Sequence, residues 1–214
     1  MKPSESGERS YVENIPGAAG AIGTSTAGRA PNDGCTLLVV NQNFVIQPVV
    51  NPKSPYNIKD FSGVSLLAVA PETVSVIPSV LASTMKELVA LLKQSPGKYT
   101  YASPGYRSSP HLAAERLFRV TLGLDVLHVP FQGGPPAINS ALGGYTQIIP
   151  LTLPIVAPFV RDGKLRMLAV ADQKRIADFP DVRPLRRRVT LVLKSDTGTA
   201  SSCLRAHQIP PSIP

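Results

Sequence analysis

Twice between residues 97 and 142 the sequence runs from a short β-prone stretch into a glycine loop and then into a proline-opened helix. The first copy is "KYTYASPG" followed by a helix from Pro110 to about Arg119. The second is "VLHVPFQGG" followed by a helix from Pro135 to about Leu142, with Gly143 as its stop. A strand that feeds a helix by a tight turn must return to the same sheet by a crossover, and crossover handedness favours parallel neighbours. This unit therefore restricts the chain to an α/β fold with a mainly parallel sheet flanked by helices.

The flanking sequence extends the pattern. "IPGAAGAIGTSTAGRA" (15–30) reads as a small-residue helix, "NDG" as a turn and "CTLLVV" (35–40) as a buried strand. "GVSLLAVA" and "TVSVIPS" are strands separated at Pro71. "STMKELVALLKQSPG" (83–97) is an amphipathic helix with Ser83 or Thr84 as cap and Pro96-Gly97 as stop. "YTQIIPLTL" and "KLRMLAVA" supply two more strands around the helix "PIVAPFVRDG". With 214 residues, 43% of them hydrophobic and 17% charged, the chain can bury a real core. No apolar run approaches the roughly 18 to 20 residues of a membrane-spanning helix. The polar start "MKPSESGERS" shows no signal peptide.

The net charge of +8 is unevenly placed. Residues 183–214 hold six Lys/Arg and one acid, which leaves 16 bases against 13 acids elsewhere. So mildly basic a body identifies no partner, and a nucleic-acid reading rests on the tail alone. That tail has no helical period, one short strand-like piece, "VTLVL", and a Ser/Thr-rich, proline-terminated end, which predicts poor order over 176–214. Cys35 and Cys203 stand far apart with no metal-ligand spacing, and no cofactor motif is present. Gly17, Gly20 and Gly23 do not make a dinucleotide fingerprint, and close helix packing is the simpler cause.

The chemistry concentrates in "YASPGYRSSPHL" (101–112). With Ser109 as cap, Pro110 falls at the first helical position, where its missing N–H is harmless. Ser108, Ser109 and the first-turn amides then form an anion site, or simply a helix cap. A nucleophile–base pairing of Ser108 or Ser109 with His111 is poorly spaced and has no acid to orient the ring. In "PFQGGPPA", Phe131 walls a pocket and Gln132 bonds a carboxylate or amide, or the segment is only a tight turn. Two such loops after two strands of one sheet favour a cleft at the strands' carboxyl ends.

Six blocks, taken in order, closely resemble one family: "VENIPGAAGAIG" (12–23), "PNDGCTLL" (31–38), "PYNIKDFSGVSLLA" (55–68), "GKYTYASPGYRSSPHLAAE" (97–115), "VPFQGGPPAINSALGG" (129–144) and "GKLRMLAV" (163–170). The family is the Bug-type substrate-binding receptors of tripartite tricarboxylate transporters, and the resemblance covers about residues 11–182. It implies a two-lobed, type II periplasmic-binding-protein-like fold that captures a small carboxylate for membrane transporter subunits, without catalysis or cofactor. Carried over by the resemblance, Ser103, Gly105, Ser108, Ser109, Phe131, Gln132, Gly133 and Thr152 line the ligand cleft, with Asn43 contributed by the first lobe. The resemblance divides the chain into a partial first lobe (1–77), a second lobe (78–175) and a divergent basic tail (176–214). It implies a first lobe incomplete at both ends, with the change of composition after "FPDV" resembling a frameshift. Periplasmic location follows from the resemblance, whereas the missing leader would keep this chain in the cytoplasm. The two rival readings are a carboxylate-processing α/β enzyme using Ser108 or Ser109 and a nucleic-acid binder acting through the tail.

Overall fold

A computed structural model describes residues 10–172 and 174–185 and the backbone of 199–206. Two sheets organise these residues. The first has strand order β1-β8-β2, with β1 Leu37–Val40, β2 Phe61–Ala70 and β8 Thr199–Ala206. The second has order β5-β4-β6-β3-β7, with β3 Thr73–Val76, β4 Thr100–Ser103, β5 Leu127–Pro130, β6 Ile148–Ile149 and β7 Arg166–Val170. Pro71 and Glu72 alone separate β2 from β3, so the chain passes from one sheet to the other almost without a loop.

That direct passage corrects the expectation of mainly parallel sheets. Only β5-β4-β6 is parallel. β3 enters from the first sheet and runs against both β6 and β7, and β8 runs against both β1 and β2. The parallel part is the part built from the repeated strand–loop–helix unit, where the crossover rule applies.

The second sheet carries the core. Val74 and Val76 of β3, Tyr101 of β4 and Ile148 and Ile149 of β6 are fully buried. Leu88 and Leu92 come to them from α3 (Met85–Gln94), Ile138 from α5 (Gly134–Leu142) and Val156 from α6 (Leu153–Arg161). Beyond β7 the chain stays with this core: Leu185 N donates to Val170 O. β3 belongs to the second sheet, and Phe179, Val182 and Leu185 pack against its core.

The start of α3 shows why that helix begins where it does. Thr84 Oγ1 accepts from Glu87 N at 3.2 Å, and the Glu87 carboxylate accepts from Ser83 N at 2.7 Å. Those bonds hold the Glu87 carboxyl below its ordinary range, the Ser83 amide contributing most. Thr84→Ala should lower stability by about 1 kcal/mol, read from urea unfolding.

The first sheet is covered differently. Phe44, Tyr56 and Phe61 pack as an aromatic cluster with centroids 5.3–6.3 Å apart, and Tyr56 donates to Phe44 O at 2.7 Å. Burial pushes the Tyr56 hydroxyl up to about 12. Leu37, Val39, Val64, Leu66, Leu67 and Val69 remain exposed on β1 and β2. β8 lies between those two strands, in the segment whose composition predicts poor order; there it pairs the backbone groups that β1 and β2 turn toward each other. "VTLVL" lies outside the described residues, as does most of the basic tail.

Among the described residues no helix is long and apolar enough to cross a membrane, and no cluster of His, Cys, Asp and Glu is arranged to hold a metal.

Candidate functional site

The two glycine loops lie side by side at the carboxyl ends of the parallel strands β4 and β5. Phe131 N donates to Ser103 O at 2.9 Å and Gly133 N to Pro104 O at 3.1 Å. Gly105 has φ +148° and Gly133 φ +116°, backbone that L side chains rarely adopt. A Cβ on Gly105 would stand 3.5 Å from Phe131 O and 3.9 Å from the Ala19 Cβ. Ala19 belongs to the first glycine segment, where Gly17, Ala18, Ala19 and Gly20 all have positive φ. These glycines therefore shape a tight left-handed turn that faces the second sheet's loop. Gly17 and Gly23 meet the expectation of close packing, their Cβ positions lying 2.6 Å from Ile22 Cδ1 and 3.0 Å from Ile15 O, whereas Gly20 has nothing within 4 Å.

Ser109 is where the two sheets meet. Its backbone N–H donates to Asn43 Oδ1 at 2.8 Å, and its hydroxyl accepts a short bond from Gln42 Nε2. Gln42 and Asn43 open α2 (Asn43–Val50) directly after β1, and both are buried. The structure thus joins Asn43 to Ser109 and adds Gln42, which sequence reasoning missed. The signal was present: "NQN" places three carboxamides at a strand end, in the position that the serines occupy on the other sheet.

The cap assignment shifts by one residue. Ser108 is the N-cap of α4 (Ser109–Glu115), so Ser109 and Pro110 occupy its first two positions. The Ser108 side chain bonds no first-turn amide; it donates to Gly105 O at 2.7 Å. Ser103 and Ser108 are both fully buried, their hydroxyls directed to the loop's own carbonyl. They hold the loop in shape and present no hydroxyl to solvent.

The remaining expected residues divide. Gly105 and Gly133 stand in the paired loops and Gln132 is exposed beside them. Phe131 packs against the second-sheet core and lines an open groove of about 480 Å³ with Asn139 and Tyr145. Thr152 stands at the N-cap position of α6, without a side-chain capping bond, and bridges to Glu72 at the crossover between the sheets. Another hollow, of about 230 Å³, is lined by Tyr106, His111, Glu115, Arg119 and His128. Neither hollow includes Ser109, Gln42 or Asn43, whose direct bonds close the seam.

A serine–histidine pair does exist, but not the one weighed from sequence. Ser103 Oγ lies 2.7 Å from His128 Nε2, while His111 Nδ1 accepts from Arg107 N at 3.0 Å. Parallel register sets Tyr101 beside His128 and Ser103 beside Pro130, which brings the serine diagonally onto the ring. Ser103 is closed to any substrate carbonyl by its burial, and Glu115 bonds the Tyr101 hydroxyl at 2.6 Å instead of a ring nitrogen. This is a structural pair.

The family model described as tripartite tricarboxylate transporter family receptor matches residues 5–195. The chain belongs to that family. It is 33% identical over 180 residues to a UPF0065 protein in the gbd 5′ region of Cupriavidus necator, covering 84% of this chain and 54% of that protein. It is 30% identical to BugT of Bordetella pertussis, covering 82% and 55%. The receptor chain thus spans about half the length of the curated relatives it matches.

Solved structures give the receptor fold directly. A periplasmic transporter superposes with TM-score 0.86 at 35% identity, covering 92% of this chain and 66% of its own. The periplasmic binding protein BugD superposes with TM-score 0.84 at 25% identity and the same coverage. At 23% identity and TM-score 0.78, covering 91% of this chain and 66% of its own, MatC from Rhodopseudomonas palustris, solved with bound malate, shares the fold. The α/β periplasmic-binding-protein architecture is therefore established, and the family is one of transporter receptors.

Proposed function

We propose that this receptor captures a small carboxylate at the seam between its two sheets, in the periplasm, and presents it to transporter membrane subunits. The observation that carries the reading is Ser109, whose N–H and hydroxyl face the carboxamides of Asn43 and Gln42 from the other sheet. The two sheets are then the two lobes, and Gly105, Gly133 and Ala19 let backbone approach the ligand closely.

The physical step is an exchange of acceptors. The neutral Asn43 oxygen holds the Ser109 N–H through a bond of about 0.5–1.5 kcal/mol net, while a carboxylate oxygen on the same donor is worth about 1.5–3. An incoming acid takes over the N–H, and the freed Asn43 carboxamide turns its NH₂ toward the second carboxylate oxygen. Gln42 and the paired loops complete the contact. Three or four such bonds reach the roughly 8 kcal/mol of a micromolar ligand. Nothing in this exchange is covalent. With Ser108 bonded to Gly105 O and Ser109 to Gln42, no activated nucleophile stands at the seam, so binding without turnover is the reading. The family relationship gives no support to a nucleic-acid role for the tail.

A thermal-shift scan of the whole chain against small carboxylates, malate among them, tests this. A ligand at one hundred times its dissociation constant should add about 2.7 kcal/mol of stability. The shift should shrink in Ser109→Ala, which keeps the backbone N–H but removes the hydroxyl that anchors Gln42. A cooperative melt that no acid moves would count against the proposal.

A further inference from the structure

Behind the binding loop lies a column of four rings: Tyr106, His111, His128 and Tyr101. The two imidazoles stack with centroids 4.0 Å apart. Each holds a different end of the 103–109 loop. His111 Nδ1, from α4, accepts the Arg107 N–H, and Arg107 sits at φ +62°, a conformation its side chain makes costly. His128, from β5, bonds the Ser103 hydroxyl, which also contacts Gly105 through both its carbonyl (3.1 Å) and its N–H (3.3 Å).

We infer that His111 and His128 are positioning residues for the carboxylate loop, and that His111 holds its end only while its ring is neutral, so that acid releases it. The inference rests on the seam being the carboxylate site, but its mechanism is internal to the loop. An Nδ1 that accepts a hydrogen bond carries no proton, so neutral His111 keeps its hydrogen on Nε2. Protonation puts a hydrogen on Nδ1, facing the Arg107 N–H, and that bond is lost. Like charges on two stacked imidazoles 4.0 Å apart oppose each other, so a proton on one ring disfavours a proton on the other.

The surroundings set the pH range. Charged or titratable groups around the pair are Glu115 on α4, Arg119 on the π-helical turn after it, Tyr101 on β4, and Tyr106 and Arg107 in the loop. Burial is the main force holding both rings below the ordinary 6.5, with His128 at about 4; His111 adds to the lowering at His128, and Glu115 opposes it at both. Tyr101 is raised by burial and by its bond to Glu115, so it stays neutral. The unfolded chain therefore takes up protons first as pH falls. The stabilisation is complete above about 6.5 and is lost progressively toward about 4.

The side chains allow a discriminating test. Asparagine offers an oxygen near the Nδ1 position and does not titrate; leucine fills the space without an acceptor. ¹⁵N NMR of the full chain should show the Gly105 and Arg107 amides moving with the histidine titrations in the wild type. His111→Asn should keep the Arg107 amide protected and make it insensitive to pH. His111→Leu should raise its exchange about tenfold at every pH, the size of one lost hydrogen bond. Amides that stay still while the rings titrate, or an asparagine variant that behaves as the leucine one does, would overturn the inference.

A malate titration supplies the second arm. Between about pH 7.5 and about pH 4, the wild type should lose about tenfold more affinity than His111→Asn, in which malate's own titration is the same. Equal losses in the two chains would overturn the inference. Absence of malate binding at the higher pH would count against the seam as its site and leave the amide arm to decide the role of the histidines.

Discussion

Shortening Leu88 to alanine should lower the free energy of unfolding by about 2–5 kcal/mol, while Leu66→Ala should change it by no more than about 0.5. The two are the same residue type in different surroundings. Leu88 has 0% of its surface exposed and sits in the core that α3 shares with the second sheet; Leu66 is 58% exposed on β2. A side chain already in water leaves no cavity when it is cut back. Urea unfolding of both variants measures the contrast, with an unchanged slope for each. Equal losses would mean that the first sheet's apolar face is covered by something that the described residues do not include, and stability would then belong to both sheets.

Asn43→Asp should weaken carboxylate binding by at least about 100-fold, equivalent to about 2.7 kcal/mol, while leaving the melting temperature unchanged or higher. The replacement keeps the shape and puts a permanent carboxylate on the Ser109 N–H. That charge-assisted bond is stronger than the amide's, so the seam holds better in the absence of ligand. An incoming acid then meets both an occupied donor and a like charge. Opposite signs for binding and stability separate this effect from simple misfolding. A variant that bound normally would show that Ser109's N–H takes no part in recognition.

The sequence makes the second sheet legible because each of its helices announces its own start. Pro110 and Pro135 open α4 and α5, and Thr84 with Glu87 fixes α3. Gly143 closes α5 as expected. What escaped was whatever depends on distant pairing. β3 runs antiparallel because it arrives from the other sheet, which no local pattern encodes. β8 carries little apolar periodicity and becomes a strand between two partners more than a hundred residues upstream.

The site shows the same division. The serines and glycines of 103–109 stand out from the sequence, but which hydroxyl faces inward does not. The cap position falls on Ser108, one residue before the Ser109 that the sequence suggests, and the Ser108 hydroxyl turns to Gly105 O. Gln42 was missed because its partner lies 67 residues away. His128 was passed over because it matters only through the β4–β5 register that sets it against Ser103.

Where a carboxylate sits on this receptor is best read from amide shifts on adding malate to the ¹⁵N-labelled chain. The largest changes should fall on the Ser109 backbone amide and the side-chain amides of Gln42 and Asn43, with smaller ones at Gly105 and Gly133. Changes confined to the groove of Phe131, Asn139 and Tyr145, or no changes at saturating malate and at every other acid that raises the melting temperature, would contradict a carboxylate site at the seam.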